Sequence, residues 1–155
     1  MKKGRILHKD LNELIDSAAH GDLIIVSDAG LAIPKGTQRI ELAIERDFPD
    51  IVTILKLLNE ELIVEKVGIT EECRENNAPH YNDVVNVYKD MPVMMETITH
   101  SELITDLVYR AKAVIRTGSF TPYGNVVIYP GIDAPKWFER DGVKVPPFYQ
   151  NRVKK

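Results

Sequence analysis

The chain has 155 residues, a formal net charge of −3 and a pI near 5.8. That length suits one domain with a real core, and a 44% hydrophobic, 28% charged composition is that of an ordinary globular protein. The acidic balance excludes nucleic acid as the main partner, which would need a concentrated basic surface.

The single cysteine, Cys73, can form no internal disulfide and has no second thiol for a zinc cluster. No metal-ligand spacing, dinucleotide fingerprint, phosphate-binding loop or nucleophile elbow is present. The polar start Met-Lys-Lys-Gly is unlike a signal peptide, and no run of about 18 apolar residues exists for a membrane helix. Cytoplasm is therefore the expected location.

In chain order, Asp10 and Glu13 form a capping-box pattern. Leu11, Leu14, Ile15, Ala18 and Ala19 follow at helical spacing, and Gly21 stops the helix, with His20 at its last turn. Leu23–Val26 reads as a strand buried on both faces. It ends in the turn Ser27-Asp28-Ala29-Gly30, and 31–37 is a loop by its Pro and Gly content. Ile40, Leu42 and Ile44 alternate with polar residues as in a strand. Pro49-Asp50 opens a helix carrying Ile51, Ile54, Leu55 and Leu58.

Residues 62–69 read as a strand, 71–90 as helical with a break near Pro79, and 93–98 as a strand. Thr99 and Glu102 repeat the capping-box pattern ahead of Leu103, Ile104, Leu107 and Val108. Strands follow at 113–116 and 125–129 around a turn-rich loop, 117–124. The alternation predicts an α/β fold: a single three-layer domain with a mostly parallel sheet flanked by helices. Residues 133–155 carry Pro135, Trp137, Phe138, Phe148 and Tyr149 without a clean period. Such a tail is expected to pack on the domain or on a neighbouring subunit.

Polar groups gather at strand ends, where open α/β sheets collect ligands. Asp28 is one, although an Asp there also forms turns. His20 near a helix C-terminus is a candidate proton donor or a capping residue. His100 stands just after Thr99. Tyr123 and Asn125, around Gly124, can hydrogen-bond sugar hydroxyls or cap a turn. His8 and His80 read as surface residues.

The block His20-Gly21-Asp22, Asp28-Ala29-Gly30-Leu31-Ala32-Ile33-Pro34-Lys35, Thr99-His100, Ala113–Gly118 and Pro122-Tyr123-Gly124-Asn125 closely resembles the D-ribose pyranase / L-fucose mutarotase family over about residues 1–132. The resemblance implies a cofactor-independent enzyme that interconverts pyranose and furanose forms of a free monosaccharide, ribose foremost. It implies His20 as the proton donor, Asp28, His100, Tyr123, Gly124 and Asn125 as sugar-binding residues, and ring-like homo-oligomers, often decamers. Ile104 stands where the ribose enzymes usually carry lysine, and Gly124 is closer to the fucose branch. An L-fucose or other mutarotase and a non-catalytic sugar-binding protein tied to transport are the alternatives. Residues 22–28, if extended, span about 20 Å. His20 and Asp28 then reach one small sugar only if they come from different subunits.

Overall fold

The structure is a computed structural model and describes residues 2–154. In chain order it runs α1 (Lys9–Ser17), β1 (Ile24–Ser27), β2 (Arg39–Glu41), α2 (Ile51–Glu61), β3 (Val64–Thr70), α3 (Glu71–Asn76), α4 (Ala78–Tyr88) and β4 (Met94–Ile98). Then come α5 (His100–Glu102), a π-helical turn (Leu103–Leu107) and α6 (Val108–Arg110), which together make one helix. β5 (Ala113–Arg116), β6 (Val126–Pro130), α7 (Ala134–Trp137) and a 3₁₀ turn (Pro147–Tyr149) complete the chain.

One six-stranded sheet has the order β2-β5-β1-β6-β3-β4. The pairs β2/β5, β5/β1 and β3/β4 are parallel, and β6 alone runs against its neighbours β1 and β3. The sheet is thus mixed, with one reversed strand near its centre. β6 is reached directly from the β5 end through the loop 117–125. That connection is too short for the helical crossover that a parallel partner requires.

Helices cover both faces, which is why the β1 run is apolar without alternation. Ile24 and Val26 face Leu11 and Leu14 of α1 and Ile51, Ile54, Leu55 and Leu58 of α2. Ile25 and Leu23 face Leu103, Leu107 and Val108 of the π-bearing helix, together with Val114 and Val127.

Three boundaries differ from the sequence reading. His8, not Asp10, caps α1, its Nδ1 accepting from the Leu11 N–H at 3.4 Å. The helix ends at Ser17, so His20 lies in the following turn, beyond direct reach of the helix terminus. Gly21 closes that turn at φ +96°. The strand expected through Ile44 stops at Glu41, because the chain folds back as Ile44 N–H donates to Phe48 O, leaving Ile44 exposed.

Candidate functional site

The site begins at the C-terminal end of β1, where Asp28 meets Asn125 just ahead of β6. Asp28 N–H donates to Asn125 Oδ1 at 3.0 Å, and Asn125 Nδ2 donates back to Asp28 Oδ2 at 3.1 Å. Asp28 Oδ1 accepts from Gly30 N–H at 2.8 Å. Arg116 holds the adjoining Ala29 carbonyl through Nε and Nη2 at 3.0 and 2.8 Å, and anchors on Glu41. Each Asp28 oxygen thus spends one lone pair on protein and keeps another for a ligand. The buried Asn125 amide fixes the carboxylate's direction.

His100 opens the helix on the opposite lip. Thr99 Oγ1 caps that helix by accepting from Glu102 N–H at 3.0 Å, as the capping pattern predicts, and His100 N–H donates to Glu72 Oε2 at 2.9 Å. The buried His100 Nδ1 has no protein partner. A buried polar nitrogen without a partner is costly. The helix then widens into its π turn, a feature frequent at functional sites. Asp28, Gly30, Leu31, Ala32, His100, Ile104 and Asn125 line a recess of about 330 Å³, large enough for a monosaccharide.

Tyr123 stands beside this recess with its ring edge-on to His100, 5.4 Å between centroids. It occupies the third position of a turn, Thr121-Pro122-Tyr123-Gly124, closed by Gly124 N–H to Thr121 O at 3.0 Å. Its φ of +54° is a conformation that bulky residues rarely hold. Side chains from the end of β3, the α3–α4 junction and α4 take three successive carbonyls of this turn. Asn77 Nδ2 donates to Pro122 O at 3.0 Å, Thr70 Oγ1 to Tyr123 O at 3.4 Å and His80 Nε2 to Gly124 O at 2.9 Å.

His80, read from sequence as a surface residue, is buried in this clamp. Sequence reasoning missed it, along with Thr70, Asn77 and Glu72, because their partners lie 28–53 residues away. The one local signal was Asn77 ahead of Ala-Pro, a helix-start pattern.

The sequence-predicted residues separate into two groups. Asp28, His100, Tyr123, Gly124 and Asn125 come together. His20 does not join them: it precedes β1, Asp28 follows it, and the four extended residues between already span about 13 Å. At its own end of the sheet His20 is half-exposed, with Nε2 3.4 Å from Glu65 Oε1 on β3. Cys73 is fully buried in the core, and burial pushes its thiol up to about 11, so it is no nucleophile near neutral pH. Among the described residues no cluster of three or more His, Cys, Asp or Glu is placed to hold a metal ion. No helix among them is long and apolar enough to cross a membrane.

This arrangement of a carboxylate–amide pair, an imidazole and a strained tyrosine can be set against known proteins. The chain is 40% identical over 153 residues to D-ribose pyranase 2 of Rubrobacter xylanophilus, covering 99% of this chain and 98% of that protein. It is 39% identical over 153 residues to D-ribose pyranase 1 of Streptomyces griseus, covering 99% and 100% respectively. The structure of Bacillus subtilis RbsD complexed with D-ribose superposes with a TM-score of 0.79 at 35% identity, over 85% of this chain and 98% of that one. The sequence profile of the RbsD / FucU transport protein family matches residues 1–133, and with relatives this similar over nearly their whole length, the chain belongs to that family.

Proposed function

We propose that this protein is a cytoplasmic, cofactor-independent isomerase that interconverts the pyranose and furanose forms of free D-ribose, in the service of ribose catabolism. The observation that carries the reading is the recess bounded by Asp28, His100 and Asn125, in a fold shared with a relative whose structure holds D-ribose.

The two ring forms exchange through the open-chain aldehyde. Opening the ring requires a proton on the ring oxygen and loss of the proton on the anomeric hydroxyl. Closure reverses both, with a different hydroxyl attacking. Such general acid–base work contributes about 10²–10⁴-fold. Asp28 accepts hydrogen bonds from sugar hydroxyls while Asn125 holds it. The His100 ring meets a further hydroxyl, and Tyr123 closes the side of the recess. His20 transfers the proton.

Because His20 and Asp28 stand at opposite ends of β1, His20 must serve the recess of a second copy. The active form is then a homo-oligomer with shared sites, a closed ring such as a decamer being the arrangement proposed. A mixing experiment tests this together with the chemistry. His20→Ala and Asp28→Asn each abolish saturation transfer between β-pyranose and β-furanose anomeric signals of D-ribose. Dissociated and reassembled together, they regain a fraction of it, since some interfaces then pair two intact halves. Recovery of nothing, with both variants assembled, rejects the shared site, and full activity in His20→Ala rejects the proton-transfer role.

One observation favours a second reading. Ile104 puts an apolar side chain at the recess, where no cation meets the sugar. Exchange between anomers of L-fucose or another sugar, with none for ribose, makes the protein a sister mutarotase. Sugar binding without faster exchange makes it a binding protein.

A further inference from the structure

The C-terminal segment takes no part in the chemistry above, yet its Arg152 lies against the residue that faces His20. Arg152 is 9% exposed at its side chain. It pairs with Glu65 Oε2 through Nη1 at 2.8 Å, and donates to Val64 O and Pro92 O at 3.2 and 3.3 Å. The other oxygen of the same carboxylate, Glu65 Oε1, is the one 3.4 Å from His20 Nε2. The tail's aromatic residues build the seat for this arginine. The Tyr149 ring lies 5.9 Å from the guanidinium and packs on Phe138 and Phe148, with centroids at 5.4 and 5.0 Å. Gly131 leaves the space: a Cβ there would meet Glu65 Cβ at 2.5 Å and Oε2 at 2.7 Å.

We propose that the C-terminal segment belongs to the proton-transfer apparatus: Arg152 fixes Glu65, and Glu65 fixes the ring orientation and tautomer of His20. The inference rests on the reading of His20 as the group that moves the proton. A carboxylate is acceptor-only, so facing Nε2 it keeps the proton on that nitrogen and leaves Nδ1 as the free lone pair of the neutral ring. Half-exposed on a turn, His20 would otherwise sample several rotamers. Glu65 is only 13% exposed, and a carboxylate so enclosed stays in place only while it is paired. The other charged pair at this turn, Asp22 with Lys112 at 3.1 Å, holds the turn's backbone through Ala19 N–H and leaves Glu65 to the ring. Glu65 and Arg152 are therefore positioning residues.

The test uses the full chain with Arg152→Ala, Arg152→Lys, Glu65→Gln and Gly131→Ala. It reads the His20 ring ¹⁵N shifts and, separately, kcat and KM for ribose ring exchange. In the unaltered protein the shifts show the proton on Nε2. In Arg152→Ala and Gly131→Ala they move toward a tautomer mixture. There kcat falls about 10- to 100-fold, the scale of misplacing a reacting group, while KM stays within about twofold, and Arg152→Lys recovers part of the loss. Unmoved ring shifts in both Arg152→Ala and Glu65→Gln overturn the inference, whatever happens to activity. If instead the unaltered protein exchanges no sugar, or His20→Ala keeps its rate, the functional reading falls. The ring shifts still decide what the tail does.

Discussion

Replacing His80 by leucine removes one hydrogen bond from the clamp on the 121–124 turn and leaves most else in place. Leucine fills nearly the same volume but cannot donate, so the buried Gly124 carbonyl loses its partner at 2.9 Å. An orphaned buried acceptor costs about 1–3 kcal/mol. For a domain of this size 1 kcal/mol lowers Tm by about 2–4 °C, so a cost near 2 kcal/mol predicts a fall of roughly 4–8 °C. Sugar exchange should fall further than stability explains. Tyr123 is held at φ +54° against about 1–2 kcal/mol of intrinsic preference, and with its neighbouring carbonyl released it relaxes away from His100. The assay pairs a thermal melt with saturation transfer on ribose at a temperature where the variant is fully folded. Asn77→Ala frees a more exposed carbonyl and should lose less exchange, although its melt also falls by the loss of the α4 cap on His80 N–H. A melt within about 1 °C of the parent's would show that the carbonyl does not depend on His80. A lowered melt with unchanged exchange would confine the clamp to the fold.

Three further outcomes follow from the same structure. Ile104→Lys should fold normally, because the side chain is 38% exposed, and should raise kcat/KM for ribose about tenfold if the lysine reaches a sugar oxygen with a charge-assisted bond; unchanged ribose kinetics would remove position 104 from specificity. Gly118→Ala should destabilise by about 1–3 kcal/mol in a urea titration, because its Cβ would run into the backbone oxygens of Glu45 and Phe48, which cannot yield as a side-chain tip would. The Cys73 thiol binds its proton more tightly folded than unfolded. Its contribution is therefore complete below pH 9.0 and is lost as pH rises toward about 11; Cys73→Ala should lose less stability over that window, and the native thiol should resist alkylation at pH 8.

Most of the layer order was legible in the sequence because burial writes itself locally. Leu23–Val26 is apolar at every position since helices cover both faces of β1. Asp50 announces α2 because the residue that accepts from Thr53 N–H, at 2.7 Å, is adjacent to the helix it starts. The reversed direction of β6 was not legible. Strand sense depends on connection geometry, and Asn125–Tyr129 would read the same either way. Nor was the burial of His80, whose partner is a carbonyl 44 residues away. The early stop of β2 escaped as well, because Leu42 and Ile44 keep the alternation after the backbone has turned back on Phe48.

The candidate site divides along the same line. Asp28 and Asn125 were recognisable one by one, as polar residues at strand ends, but their mutual pairing is a property of β1 and β6 lying side by side. His20 was recognisable too, and its position exposes the division of labour in this fold. β1 separates it from Asp28 by its own length, so under the roles proposed for them the sugar-holding and proton-transferring groups of one chain lie at opposite ends of its sheet. A monomer of this architecture would hold a sugar at one end and an idle imidazole at the other. Under the proposed shared site, association does more than stabilise, because it is the step that brings acid and substrate together. Dilution that dissociates the assembly should therefore abolish exchange in proportion to the dissociated fraction, while sugar binding at the Asp28 recess weakens far less. Equal loss of both on dilution would mean that the recess itself depends on a neighbour.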